Sequence, residues 1–339
     1  MNNWIVTKSS AIGTSHLISG LPCQDSCYEM QSHDGEWLSI VVSDGAGTAK
    51  YSDQSSSLVS KSFAKALISL SEQFKEKNPG AWVNDFVIEQ ILNVRNELRS
   101  LAKEDSLKDF HCTLVACLLG KSGGFLIHIG DGAVFGGLSK ETSENKISLS
   151  ESLFISRPEN GEYANETFFI TEGDWIKHLR ITPIGLVDWI VLATDGGTSL
   201  SMIEDKEPKL GFIAPLFGRL TQEENQAARE AFLNSVLNDA QTNKLTSDDK
   251  TLCIAFRQNL MSGGKEIEAN SVQTTTRLDE SKKTQTQLES PISITAIKPR
   301  HNKILIPKLS AKHRKIVLIT LTILVGICAG LFSLIALNR

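Results

Sequence analysis

The chain lacks any C-x-x-C pair; its six cysteines, Cys23, Cys27, Cys112, Cys117, Cys253 and Cys328, are scattered over 339 residues. That spacing excludes a disulfide scaffold, and no second pair or nearby His pair joins Cys23 and Cys27 in a zinc site. Reduced thiols in a reducing compartment are the expectation. Aromatic residues are scarce at 6%, all five Trp lie before residue 190, and no Phe, Tyr or Trp falls between Phe256 and Phe332. The 24 Gly and 9 Pro are too few for a collagen-like chain, while 41% hydrophobic residues exclude a wholly disordered one. The start, Met1-Asn2-Asn3-Trp4-Ile5-Val6, has no basic region followed by an apolar stretch, so no signal peptide is expected.

Charge is divided unevenly. Residues 1–257 carry 23 Lys and Arg against 34 Asp and Glu, and residues 258–339 carry 12 against 5. An acidic body argues against nucleic acid as a partner. Residues 258–315 are rich in Ser, Thr, Gln, Asn and Lys, a composition that buries too little apolar surface to order itself and predicts a flexible tether. One long apolar run follows, Ile316–Leu337, without a charge. As a helix it spans about 33 Å, enough for a hydrocarbon core of about 30 Å. Lys308, Lys312, Arg314 and Lys315 precede it and only Arg339 follows, so positive charge places the body on the cytoplasmic side of a single-pass, C-terminal membrane anchor. The expected division is therefore a folded domain over 1–257, a linker over 258–315 and a transmembrane helix over 316–337.

Within the body, apolar spacing predicts helices over Gln54–Lys75, Val83–Lys103 and Gln222–Ala240. Strand signals cover Trp37–Val42, Thr113–Leu119, Gly124–Ile129, Ala133–Gly137, Ile147–Ile155, Trp189–Ala193 and Thr251–Phe256, with Asp131-Gly132 expected to close a hairpin. Two early helices followed by many strands predict an α+β fold with helices packed on antiparallel sheets.

Aspartate recurs at the ends of these strands: Ser43-Asp44-Gly45-Ala46-Gly47, Gly130-Asp131-Gly132, Thr194-Asp195-Gly196-Gly197 and Ser247-Asp248-Asp249-Lys250-Thr251. Carboxylates held by a rigid sheet can converge on one point, where they repel unless cations sit between them. Hard oxygen donors without a His or Cys set select Mg²⁺ or Mn²⁺ over Zn²⁺. Either Asp248 or Asp249 can be the donor of the last pair.

With Gly13-Thr14-Ser15-His16 and Pro22-Cys23-Gln24-Asp25 added, the set from Gly13 to Phe256 resembles the metal-dependent serine/threonine phosphatases of the protein phosphatase 2C type, in particular their compact bacterial branch. The resemblance implies a β-sandwich flanked by helix pairs. It implies that Asp44 bridges two Mn²⁺ or Mg²⁺ ions with the Gly45 carbonyl on one of them, that Asp195 and Asp248 are the other direct ligands, and that Asp25 holds metal-bound water. Asp131 matches a position that supports a third, weaker ion in relatives. Such ions lower the pKa of a shared water, giving a hydroxide for attack on a phosphate ester, so no nucleophilic Ser or Cys is needed. Phosphorylated proteins are the implied substrates and a serine/threonine kinase the implied opponent.

Two departures stand out. Well-studied eukaryotic relatives carry an Arg shortly before the first acidic ligand, where this chain has Ser19-Gly20-Leu21, and many carry a His directly after Asp-Gly, where it has Ala46. His16 can serve either need, as a phosphate contact or as a proton donor to the leaving group. The polar stretch Arg157–Thr167 can form a substrate-facing flap or an ordinary surface loop. The rival reading is a pseudophosphatase that binds phosphoproteins without turnover.

Overall fold

Long β-branched runs that are apolar on both faces have to be covered on both faces, and two stacked sheets between helix layers achieve this. The computed structural model describes residues 4–74, 82–103, 106–142, 146–159, 167–261 and 267–268. In chain order these form β1 (Trp4–Ala11), α1 (Thr14–Ser19), β2 (Ser26–Gln31), β3 (Leu38–Ser43), α2 (Ser52–Gln73), α3 (Trp82–Ala102), β4 (Leu114–Leu119), β5 (Gly124–Ile129), β6 (Ala133–Glu141) and β7 (Ile147–Ser156). Then follow β8 (Arg180–Ile184), β9 (Trp189–Ala193), α4 (Asp195–Ser201), a small β10–β11 hairpin (Met202–Ile203 and Glu207–Pro208), α5 (Leu210–Gln222), α6 (Gln226–Leu237), α7 (Thr242–Leu245), β12 (Lys250–Arg257) and β13 (Ile267–Glu268).

One sheet has the order β1-β12-β9-β6-β7-β13 and the other β2-β3-β4-β5-β8. Their pairings are antiparallel except for β13, which lies parallel to β7. Ile40, Val42, Val115, Val134, Ile190 and Leu192 fill the layer between the sheets. Phe63, Leu67, Val87 and Ile91 of α2 and α3 cover the outer face of the five-stranded sheet. Ile213, Phe217 and Leu233 of α5 and α6 cover the outer face of the other. The α+β expectation and its antiparallel sheets are met.

Trp189 anchors that second helical layer, fully buried and edge-on to Phe135 at 6.3 Å and Phe217 at 5.5 Å. Trp189→Ala is expected to cost about 3–5 kcal/mol, read as a lower urea midpoint at unchanged m-value.

The structure corrects two local expectations. Asp131-Gly132 closes no hairpin: β5 pairs with β4 and β8, whereas β6 pairs with β7 and β9 in the other sheet. The segment Gly130–Gly132 instead crosses between layers, with Gly130 at φ +115°, a conformation that glycine alone adopts readily. The helix expected over Gln222–Ala240 is α6, shortened to Gln226–Leu237, because α5 runs to Gln222 and Asn225 caps α6 by accepting from the Ala228 N–H at 3.0 Å. Past Arg257, Leu260 and Ile267 still join the core. The remainder of the expected linker, residues 262–266 and 269–315, and the apolar run Ile316–Leu337 lie outside the described residues. Among the described residues no helix is long and apolar enough to cross a membrane.

Candidate active site

Antiparallel pairing places the end of one strand beside the start of the next, and this gathers the aspartates. Asp44 follows β3 and Asp25 precedes β2, whose paired ends are Ser43 and Ser26. Asp195 follows β9 and Asp248 lies just before β12, and Ala193 at the end of β9 pairs with both Leu252 and Ala133. Asp131 is on the crossing between the two sheets. All five carboxylates therefore lie at one end of the sandwich.

There Asp44, Gly45, Asp131, Asp195, Asp248 and His16 line one cavity of about 480 Å³. Asp25 sits behind it, buried, with Oδ2 accepting from the Thr194 hydroxyl at 2.7 Å. Asp44 is locked by its backbone: its N–H donates to Thr113 Oγ1 at 2.9 Å and its carbonyl accepts from the Thr113 N–H at 2.8 Å. Gly45 is pressed close to its neighbours, and a β-carbon there would fall 2.6 Å from the Ser52 carbonyl oxygen and 2.8 Å from that of Gln24. Asp131 accepts from Thr167. The wall carrying Thr167 and Phe169 is tied to α3 by Arg95, which donates to the carbonyls of Ile170 and Glu172. Of the stretch expected to form a flap, residues 160–166 lie outside the described residues.

The adjacent pair separates cleanly. Asp248 is exposed and faces the cavity, whereas Asp249 is 2% exposed and turned inward. Asp249 accepts from the N–H groups of Gly13 at 2.6 Å and Gln24 at 2.5 Å and contacts His16 Nδ1 at 3.0 Å. Sequence reasoning missed Thr113 and Thr194, the hydroxyls that hold Asp44 and Asp25, and missed Asp249 as the partner of His16. Thr113 and Thr194 each flank an apolar strand, a signal too common to single them out.

Electrostatics follow from burial and crowding. Desolvation, then the charges of Asp25 and Asp195, push the Asp44 carboxyl well above the usual range. Asp25 is raised well above it by desolvation and by Asp195 and Asp249. Burial raises Asp131, with Asp248 adding to the effect. Asp195 is pushed to about 6 by burial and by Asp131 and Asp248, against the opposing effect of its hydrogen bond with Asp44. Lys250 is buried, with Nζ 3.3 Å from the Asp248 carbonyl oxygen.

This donor set suits hard divalent cations. Asp25 Oδ1 and Asp131 Oδ1 are buried without a hydrogen-bond partner among the described residues, and the remaining donors are crowded carboxylates. Among the described residues no group of three or more His, Cys, Asp or Glu side chains is close-set enough to hold a metal ion as it stands.

A family model described as protein phosphatase 2C matches residues 12–238. Serine/threonine-protein phosphatase 3 of Escherichia coli K12 is 31% identical to this chain over 267 residues, covering 75% of the chain and 98% of the relative. The crystal structure of serine-threonine phosphatase 2C from Toxoplasma gondii has a TM-score of 0.51 at 13% identity, covers 75% of this chain and 95% of its own, and bears on the fold alone. The family match spans most of the described body, including four of the five aspartates and His16: the chain belongs to the protein phosphatase 2C family.

Proposed function

We propose that the cavity hydrolyses phosphoserine and phosphothreonine esters in proteins, with two divalent ions, Mn²⁺ or Mg²⁺, held by Asp44, Asp195, Asp248 and the Gly45 carbonyl. The observation that carries this reading is the convergence of aspartates from both sheets on one cavity. Ions bound there lower the pKa of water and neutralise charge on phosphoryl oxygens. The chain's own residues do the rest. Asp25 and Asp131 orient water through buried oxygens, and Asp131 is the donor for a third, weaker ion. His16 reaches the substrate from the cavity wall beside Asp248, as a phosphate contact or a proton donor. The Ile316–Leu337 segment tethers the body to the cytoplasmic face of a membrane, where an opposing serine/threonine kinase supplies the phosphoproteins.

The test uses the full chain in detergent and follows phosphate release from a phosphothreonine peptide. Release with Mn²⁺ or Mg²⁺ that stops with EDTA is the expected result. Peptide binding without release, unchanged by EDTA, would establish the pseudophosphatase instead. Retention of the chain in membranes after an alkaline wash checks the tether.

A further inference from the structure

His16 is buried in α1, 8% exposed, with one ring nitrogen turned to Asp249 and the other toward the cavity. Asp249 already receives two backbone N–H groups, which can only donate. Facing two obligate donors, its carboxylate meets His16 as an acceptor too. The ring proton is thereby fixed on Nδ1, and Nε2 is left for the cavity.

What Nε2 faces can be read at Gly47. A β-carbon on Gly47 would lie 4.0 Å from His16 Nε2 and 3.9 Å from Gln24 Oε1, so the bare glycine leaves a space bordered by these two groups. Gln24 is 5% exposed, and its Oε1 is buried with no hydrogen-bond partner among the described residues. A buried amide oxygen left unpaired beside a cavity is costly unless a ligand completes it. Asp249 organises both borders, since one carboxylate holds the Gln24 backbone and the His16 ring.

We infer that Asp249 is a positioning residue that aims His16 Nε2 at the ester oxygen leaving phosphorus, and that Gln24 and Gly47 shape the space this oxygen enters. The inference rests on the hydrolytic reading above. In the step, the oxygen of hydroxide bonds to phosphorus while the phosphorus–ester oxygen bond breaks. The electron pair goes to the seryl or threonyl oxygen, and imidazolium Nε2 gives that oxygen its proton. The ring regains a proton from the next water, whose hydroxide enters the following cycle.

The test uses the full chain with Mn²⁺, a phosphothreonine peptide and a series of aryl phosphates of rising leaving-group pKa. A lost proton donor matters most when the departing oxygen is a strong base. His16→Ala and Asp249→Ala are each expected to lower kcat about 10²–10³-fold for the peptide, but tenfold or less for p-nitrophenyl phosphate. The double variant should fall no further than His16→Ala alone, because the two act as a unit. Nitrogen NMR of the protein without added ions, with the His16 signals assigned by loss in His16→Gln, should show the neutral ring protonated on Nδ1 and that preference lost in Asp249→Ala. If Asp249→Ala does not fold, Asp249→Asn keeps its shape and is read in its place. Gly47→Ala, whose methyl meets no atom closer than ordinary contact, should keep its melting temperature and lose peptide hydrolysis. Equal losses across leaving groups, additive effects in the double variant, or a ring protonated on Nε2 in the parent would overturn the proposal. A parent that releases no phosphate overturns the hydrolytic reading and this step with it, while the ring spectrum still reports whether Asp249 fixes the imidazole.

Discussion

Asp44→Asn is expected to abolish metal-dependent phosphate release, by at least about 10³-fold, and at the same time to raise the melting temperature of the ion-free protein. The first effect follows because Asp44 is the proposed ligand common to both ions, and losing several kcal/mol of transition-state stabilisation costs a factor of ten for every 1.4 or so. The second follows from the forces on its carboxyl, which burial and the charges of Asp25 and Asp195 hold well above the ordinary range. An amide of the same shape has no charge to desolvate and nothing to repel. Opposite signs are the signature of a functional carboxylate, since a residue needed only for packing would lose stability and activity together. Calorimetry with EDTA and with Mg²⁺ reads both quantities. A variant that melts lower than the parent without ions would contradict the reading of the cluster.

The second large effect is in pH. Burial and the charges of Asp131 and Asp248 push the Asp195 carboxyl from 3.8 to about 6, so between about pH 4 and 6 the folded state binds more protons than the unfolded one. Stability from this group is complete below the lower value and lost as pH rises through the upper. Asp25, Asp44 and Asp131 shift in the same direction. The ion-free protein should therefore lose stability from pH 5 to pH 8, on the order of 1 kcal/mol from Asp195 alone. Divalent ions compete with these protons, so the rise in melting temperature on adding Mg²⁺ should be larger at pH 8 than at pH 5. An ion effect that is flat across this range would exclude the carboxylates as its source.

The strand ends and their aspartates were legible in the sequence because an apolar run stopping at Asp-Gly is a local pattern. The partner of each strand was not. Asp131-Gly132 has the composition of a hairpin turn, and nothing in β5 or β6 records that they lie in different sheets. β8 escaped notice because Pro183 sits within it, which an edge strand tolerates. Pro215 likewise interrupts the pattern of α5. Asp248 and Asp249 are chemically identical, and only the bend of the chain just before β12 leaves one exposed at the cavity and turns the other to His16.

The crossing at Gly130–Gly132 has a mechanical consequence. Asp44 belongs to one sheet, Asp195 and Asp248 to the other, and Asp131 bridges them, so the thickness of the apolar layer between the sheets acts as a caliper on the site. Val42, Val115, Val134 and Leu192 set the gap across which carboxylates meet, and interiors packed this densely pass on a change of even one methylene. Mg²⁺ demands close to ideal octahedral distances. On the proposed two-ion reading, ion preference is thus set partly by hydrophobic side chains that never touch an ion.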